Sequence, residues 1–131
     1  MFDNELMFRA AAAGNLTADM AVVYLDLGAA PVHPLVVRLL VPALAEANDT
    51  IVPKIHLSVD GSGAGERLLT CETIIKTDVD GGKKEYFYAV PASKYRYAGL
   101  ELDVTDADAG GDFNAGVVLA GLVPAGRYTE R

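Results

Sequence analysis

Along DFNAGVVLAGLVPAG, residues 112–126, apolar side chains occupy both phases of a two-residue period. One phase carries Phe113, Ala115, Val117, Leu119, Gly121 and Val123, and the other Asn114, Gly116, Val118, Ala120 and Leu122. A strand sends alternate side chains to opposite faces, so one lying against water on one side alternates apolar with polar. LVVRLLV, residues 35–41, departs from that rule in the same way, with Leu35, Val37, Leu39 and Val41 on one face and Val36, Arg38 and Leu40 on the other. Other segments keep it. KIHLSVD alternates Ile55, Leu57 and Val59 with Lys54, His56, Ser58 and Asp60. YRYAGLELDV sets Leu100, Leu102 and Val104 inward and Tyr95, Tyr97, Glu101 and Asp103 outward. In the two doubly apolar strands the second face needs cover, either from the chain's own loops or from a partner surface.

These patterns predict strands over 5–11, 20–27, 35–41, 51–59, 67–77, 85–90, 95–104 and 114–123. The turn clusters GNLTAD, GAAPVHP, EANDT, DGSGAG, DVDGG and DADAGGD separate them. Residues 9–13 and 42–47 have room for a helical turn, and no segment predicts a helix of ten residues or more. No linker, composition shift or internal repeat divides the chain. The expectation is an all-β protein: one β-sandwich domain over 1–131, jelly-roll-like, with about eight strands.

The length of 131 residues suits one domain with a real core, and 51% hydrophobic residues argue against disorder. A net charge of −7 opposes direct nucleic-acid binding, which draws on clustered Lys and Arg. The basic pair Lys83–Lys84 follows a Gly-Gly turn, where solvated lysines are ordinary. The apolar run from Pro34 to Ala45 is too short to span a bilayer and contains Arg38. The N-terminus has no basic segment leading into an apolar run, so a soluble protein used without export is expected. A single cysteine, Cys71, leaves no internal disulfide.

Candidate chemistry is sparse. His33 and His56 do not make a metal-ligand spacing, and a metal site on a jelly roll would need more histidines and a carboxylate. Cys71, within LLTCETII, reads as a small buried thiol rather than as a nucleophile served by His56. Gly61, Gly63 and Gly65 imitate a phosphate loop, but the strand-like ERLLTCETIIKT follows where a helix would be needed, so the loop reads as a hairpin connection. Asp103, Asp106, Asp108 and Asp112 cluster without the spacing of a calcium loop and read as an acidic turn. No catalytic residue, cofactor site or metal site is therefore expected. The tyrosines and Phe87 suit an interface better than a sugar-stacking ladder, since tryptophan is absent.

Several stretches in order resemble the jelly-roll cement, or head-decoration, proteins of tailed bacteriophages. These are MFDNELMF, then VVYLDLGAA after an Ala-rich gap, PLVVRLLV, IVPKIHLSVDGS, and the closing unit KYRYAGLELDV…FNAGVVLAGLV. The likeness lies in order and spacing over nearly the whole chain, and DGGKKEYFYAVPASK departs from it. The resemblance implies a structural virion protein, made in the host cytoplasm, that binds the outer surface of the capsid shell and bridges capsomers. Its partners would be the major capsid protein and copies of itself, as a dimer or trimer, with neither nucleic acid nor membrane. The alternative is a carbohydrate- or cation-binding sandwich module. Candidate interface residues are Phe2, Phe8, Tyr95, Arg96, Tyr97, Val118, Leu122, Arg127 and Tyr128, with residues 1–8 as a docking arm. On this expectation a partner covers the second face of 113–123.

Overall fold

The computed structural model describes residues 7–27, 35–45, 48–61, 67–90, 95–106 and 113–124. Its strands are β1 (Met7–Arg9), β2 (Met20–Asp26), β3 (Leu35–Leu40), β4 (Thr50–Ser58), β5 (Arg67–Thr70), β6 (Ile74–Ile75), β7 (Glu85–Val90), β8 (Tyr97–Thr105) and β9 (Leu119–Pro124). One helical turn, α1 (Lys76–Asp80), follows β6, and a 3-10 turn spans Ala11–Ala13.

The strands form two antiparallel sheets, ordered β1-β9-β3-β7 and β2-β8-β4-β5, with β6 also on β4. The pairings nest. β4 pairs β5 at the centre, then β3 pairs β7, β2 pairs β8 and β1 pairs β9, as in one long hairpin rolled into two layers. That nesting is the jelly-roll arrangement of a β-sandwich. Between the layers, Val37 and Leu39 of β3 and Ala120 and Leu122 of β9 meet Ile55 and Leu57 of β4 and Leu100 and Leu102 of β8, all buried.

The predicted strand 67–77 is interrupted, and Pro53 supplies the reason. Proline in a central strand has no N–H to give its neighbour. The Pro53 carbonyl still accepts from the Cys71 N–H at 2.9 Å. Regular pairing with β4 stops at Thr70 and resumes at Ile74. Beyond Ile75 the chain coils into α1, which buries Val79 and ends at Gly81. Val59, expected inside, is 49% exposed because β4 ends at Ser58. There the Ser58 hydroxyl accepts the N–H groups of Asp60 and Gly61 and turns the chain toward β5. The β4–β5 connection is therefore a hairpin, as expected of the glycine loop.

The closing segment answers the question of the second face. Asn114 Oδ1 accepts the Gly116 N–H at 2.8 Å, and Gly116 takes φ 72°. This turn shifts the alternation by one residue. Phe113 and Ala115 precede it, Val118, Ala120 and Leu122 follow it, and all five are buried, while Val117 is left 38% exposed. Residues from both expected faces thus enter one core. The regular strand starts only at Leu119 because the Asn114–Gly116 segment bonds to Ala45 and Leu16 instead.

Candidate interaction surface

The outer faces of the two sheets differ in chemistry. On the β1-β9-β3-β7 sheet, register places Gly121 between Met7 and Arg38, with Phe87 beyond Arg38. Leu40 lies between Leu119 and Glu85, and Val36 between Val123 and Ala89. These positions alternate with the buried Val37, Leu39, Ala120 and Leu122, so they face away from the core. Phe87 is 43% exposed, whereas Val123, on a central strand among apolar neighbours, is 7% exposed. The charges on this face are paired: the Arg38 guanidinium donates to the Glu85 carboxylate.

The outer face of the other sheet carries ion pairs beside apolar side chains: Leu68, opposite His56 in register, is 52% exposed. Lys54 Nζ reaches Asp103 at 3.3 Å, and His56 Nε2 meets Glu101 at 2.8 Å. Gly99 stands between Tyr24 and His56 in register. A Cβ there would lie 2.7 Å from Val22 Cγ2 and 2.8 Å from Tyr24 Cδ1. The missing side chain lets the Tyr24 ring lie across β8, edge-on to His56 with centroids 6.3 Å apart. Burial, then Asp60 and Glu101, raises the Tyr24 pKa above its ordinary value. The charges on this face are half-hydrated, with Lys54 and Asp103 side chains 27% and 45% exposed and His56 and Glu101 14% and 34%.

The expected interface residues scatter over this framework. Val118 and Leu122 are 0% and 1% exposed in the core, and Phe8 is buried with them. Their cover is the chain's own second sheet, so the partner expected over Val118 is not needed: the turn at Asn114–Gly116 had already changed the phase. Tyr95, Arg96 and Tyr97 do fall together, where β2 ends and β8 begins. Arg96 grips Asp26 through two hydrogen bonds, at 2.8 and 2.9 Å, and lies over the Tyr97 ring. The hydrogen bond to Asp26, then its charge, raises the Arg96 pKa. Tyr95 packs partly against the core. Phe2, Arg127 and Tyr128, and the arm up to residue 6, lie outside the described residues.

Cys71 and His56 are not brought together: Cys71 packs against the core and His56 lies on the outer face. Burial pushes the Cys71 thiol up to about 11, opposite to what a nucleophile needs. Of the four clustered aspartates, Asp103 pairs with Lys54, and Asp108 and Asp112 lie outside the described residues. Among the described residues no three His, Cys, Asp or Glu side chains converge as metal ligands. Sequence reasoning marked the second face of LVVRLLV as needing cover but did not name Val36 and Leu40, or Leu119 beside them on β9, among the interface residues. No protein-family model matches the chain, and no curated protein matches it.

Proposed function

We propose that this protein is a structural virion component, a cement protein that binds the outside of a tailed-phage head and bridges capsomers. The observation that carries the proposal is the difference between the two outer faces: outside β1-β9-β3-β7 the row Val36, Leu40, Leu119 and Phe87 surrounds one ion pair, and outside β2-β8-β4-β5 lie the pairs Lys54–Asp103 and His56–Glu101. The first face docks on the shell, and the second meets solvent, as does the exterior of an acidic capsid protein. Three strands of six residues and the three-residue β1, about 4.8 Å apart and about 3.4 Å per residue, give a footprint of roughly 350 Å². A stable interface takes roughly 800 Å² per partner. The face therefore supplies the centre of a contact, and surrounding loops or a second copy supply the rim. The likeness in order and spacing to head-decoration proteins points the same way, and Arg96 and Tyr97 are of the residue types that anchor interfaces.

The test is to add the purified chain to heads of the phage that encodes it, stripped of this protein. Saturable co-sedimentation with a rise in the shell's melting temperature is expected. A chain that stays in the supernatant at every concentration contradicts the proposal, and a glycan- or calcium-dependent rise in its own melting temperature favours a ligand-binding module instead.

A further inference from the structure

The connection between β1 and β2 forms a groove of about 480 Å³ at one end of the sandwich, within the range of small-ligand sites. Phe8, Leu16, Met20 and Val23 supply apolar wall, and Arg9 and Asp19 supply charge. The register of β1 against β9 shifts between Met7 and Arg9, and two successive side chains, Phe8 and Arg9, are buried there. Arg9 is only 8% exposed. Its Nη1 donates to the carbonyls of Gly14 at 2.9 Å and Val118 at 3.2 Å. These bonds fix the plane of the guanidinium. Among the described residues its Nε–H and Nη2 groups have no acceptor and no paired carboxylate, and Arg9 lines the groove. The Asp19 carboxylate is positioned by β8, its Oδ1 accepting the Val104 N–H at 2.7 Å.

A guanidinium held this deep, with no carboxylate bonded to it among the described residues, is costly, and an anion arriving with matched geometry relieves the cost. The planar fork of Nε and Nη2 matches the two oxygens of a carboxylate. We propose that the β1–β2 groove binds an apolar monocarboxylate, its carboxylate on Arg9 and its hydrocarbon chain along Phe8, Leu16, Met20 and Val23. This small-molecule site is separate from the docking face and stands whether or not the chain binds a capsid.

The test is an NMR titration of the full chain with octanoate, 1-octanol and octylammonium. Octanoate is expected to give saturable shifts at Leu16, Met20 and Val23, with the alcohol and the ammonium at least about tenfold weaker. Arg9→Gln should lower octanoate affinity about tenfold or more and leave octanol unchanged. If Arg9→Gln fails to fold, Val23→Glu, at a partly exposed position of the groove wall, should weaken octanoate to the same degree. Equal binding of octanoate and octanol, saturable shifts confined to another surface, or no saturable octanoate shift at all overturns the assignment.

Discussion

Arg38 of β3 and Glu85 of β7 form an ion pair diagonally across neighbouring strands, set within the apolar outer face of their sheet. Arg38 stands opposite Phe87 and Glu85 opposite Leu40, so hydrocarbon surrounds both charges. Their side chains retain 19% and 38% exposure, which leaves the pair partly hydrated in the isolated chain.

Partial hydration sets its worth. In the free protein Glu85→Gln should change stability by less than about 1 kcal/mol, because half-exposed pairs gain little. If the proposed shell contact covers the face, the same change removes a carboxylate bonded to a then-buried Arg38, and binding should weaken by about 2–5 kcal/mol. Urea unfolding and a binding isotherm on the same variant separate the two effects.

Val118 gives the opposite result. Val118→Asp puts an unpaired charge into the core and should destabilise the monomer by several kcal/mol, with thermal unfolding as the readout. Leu122→Ala should cost about 2–5 kcal/mol. Neither change should alter binding separately from folding, because both side chains lie between the sheets.

Gly99 is held by its neighbours. Gly99→Ala drives a methyl against Val22 and Tyr24 and should cost about 1–3 kcal/mol. Adding Tyr24→Ala should restore part of that loss relative to the sum of the single changes, because one of the two obstructing side chains is gone. A double-mutant cycle in urea measures the coupling.

Alkaline stability should depend on Cys71. An unfolded thiol titrates near about 8.5, whereas burial holds the folded one up to about 11. The folded state therefore keeps the proton longer. Stability from this source is intact below about pH 8.5 and is lost toward pH 11, by about 1.4 kcal/mol per unit across that window. Tyr88, raised chiefly by burial and then by Cys71, adds to the loss at still higher pH. Cys71→Ala should flatten the part of the decline below pH 11 when unfolding free energies are compared at pH 8 and 10.5.

The strands were legible because their signal is local. Ile55 and Leu57 alternating with Lys54 and His56 describe a half-wet strand, and β4 and β8 formed where that pattern stood. Failures came where one residue changes the phase. Asn114 and Gly116 make a turn inside an apolar run, and a period of two counted straight through it assigns Phe113 and Val118 to opposite faces. Pro53 splits its neighbour's pairing at a distance of eighteen residues, and only knowledge of which strands are adjacent reveals the gap opposite. The outer surface was harder, since Val36 and Val37 look alike in sequence and only register shows which one meets Val123 and which meets Leu122. Arg9 was invisible as a site because its environment is built from Gly14 and Val118, one nearby and the other far along the chain.

The most direct test compares charge placed on the two outer faces. Val36→Asp and Phe87→Asp on the apolar face, and Lys54→Glu on the β2-β8-β4-β5 face, would be assayed side by side for co-sedimentation with heads, after melting curves establish that each is folded. Loss of sedimentation for Val36→Asp and Phe87→Asp, with Lys54→Glu still bound, is the predicted result. Binding retained by both apolar-face variants but lost by Lys54→Glu would contradict the assignment of β1-β9-β3-β7 as the docking sheet.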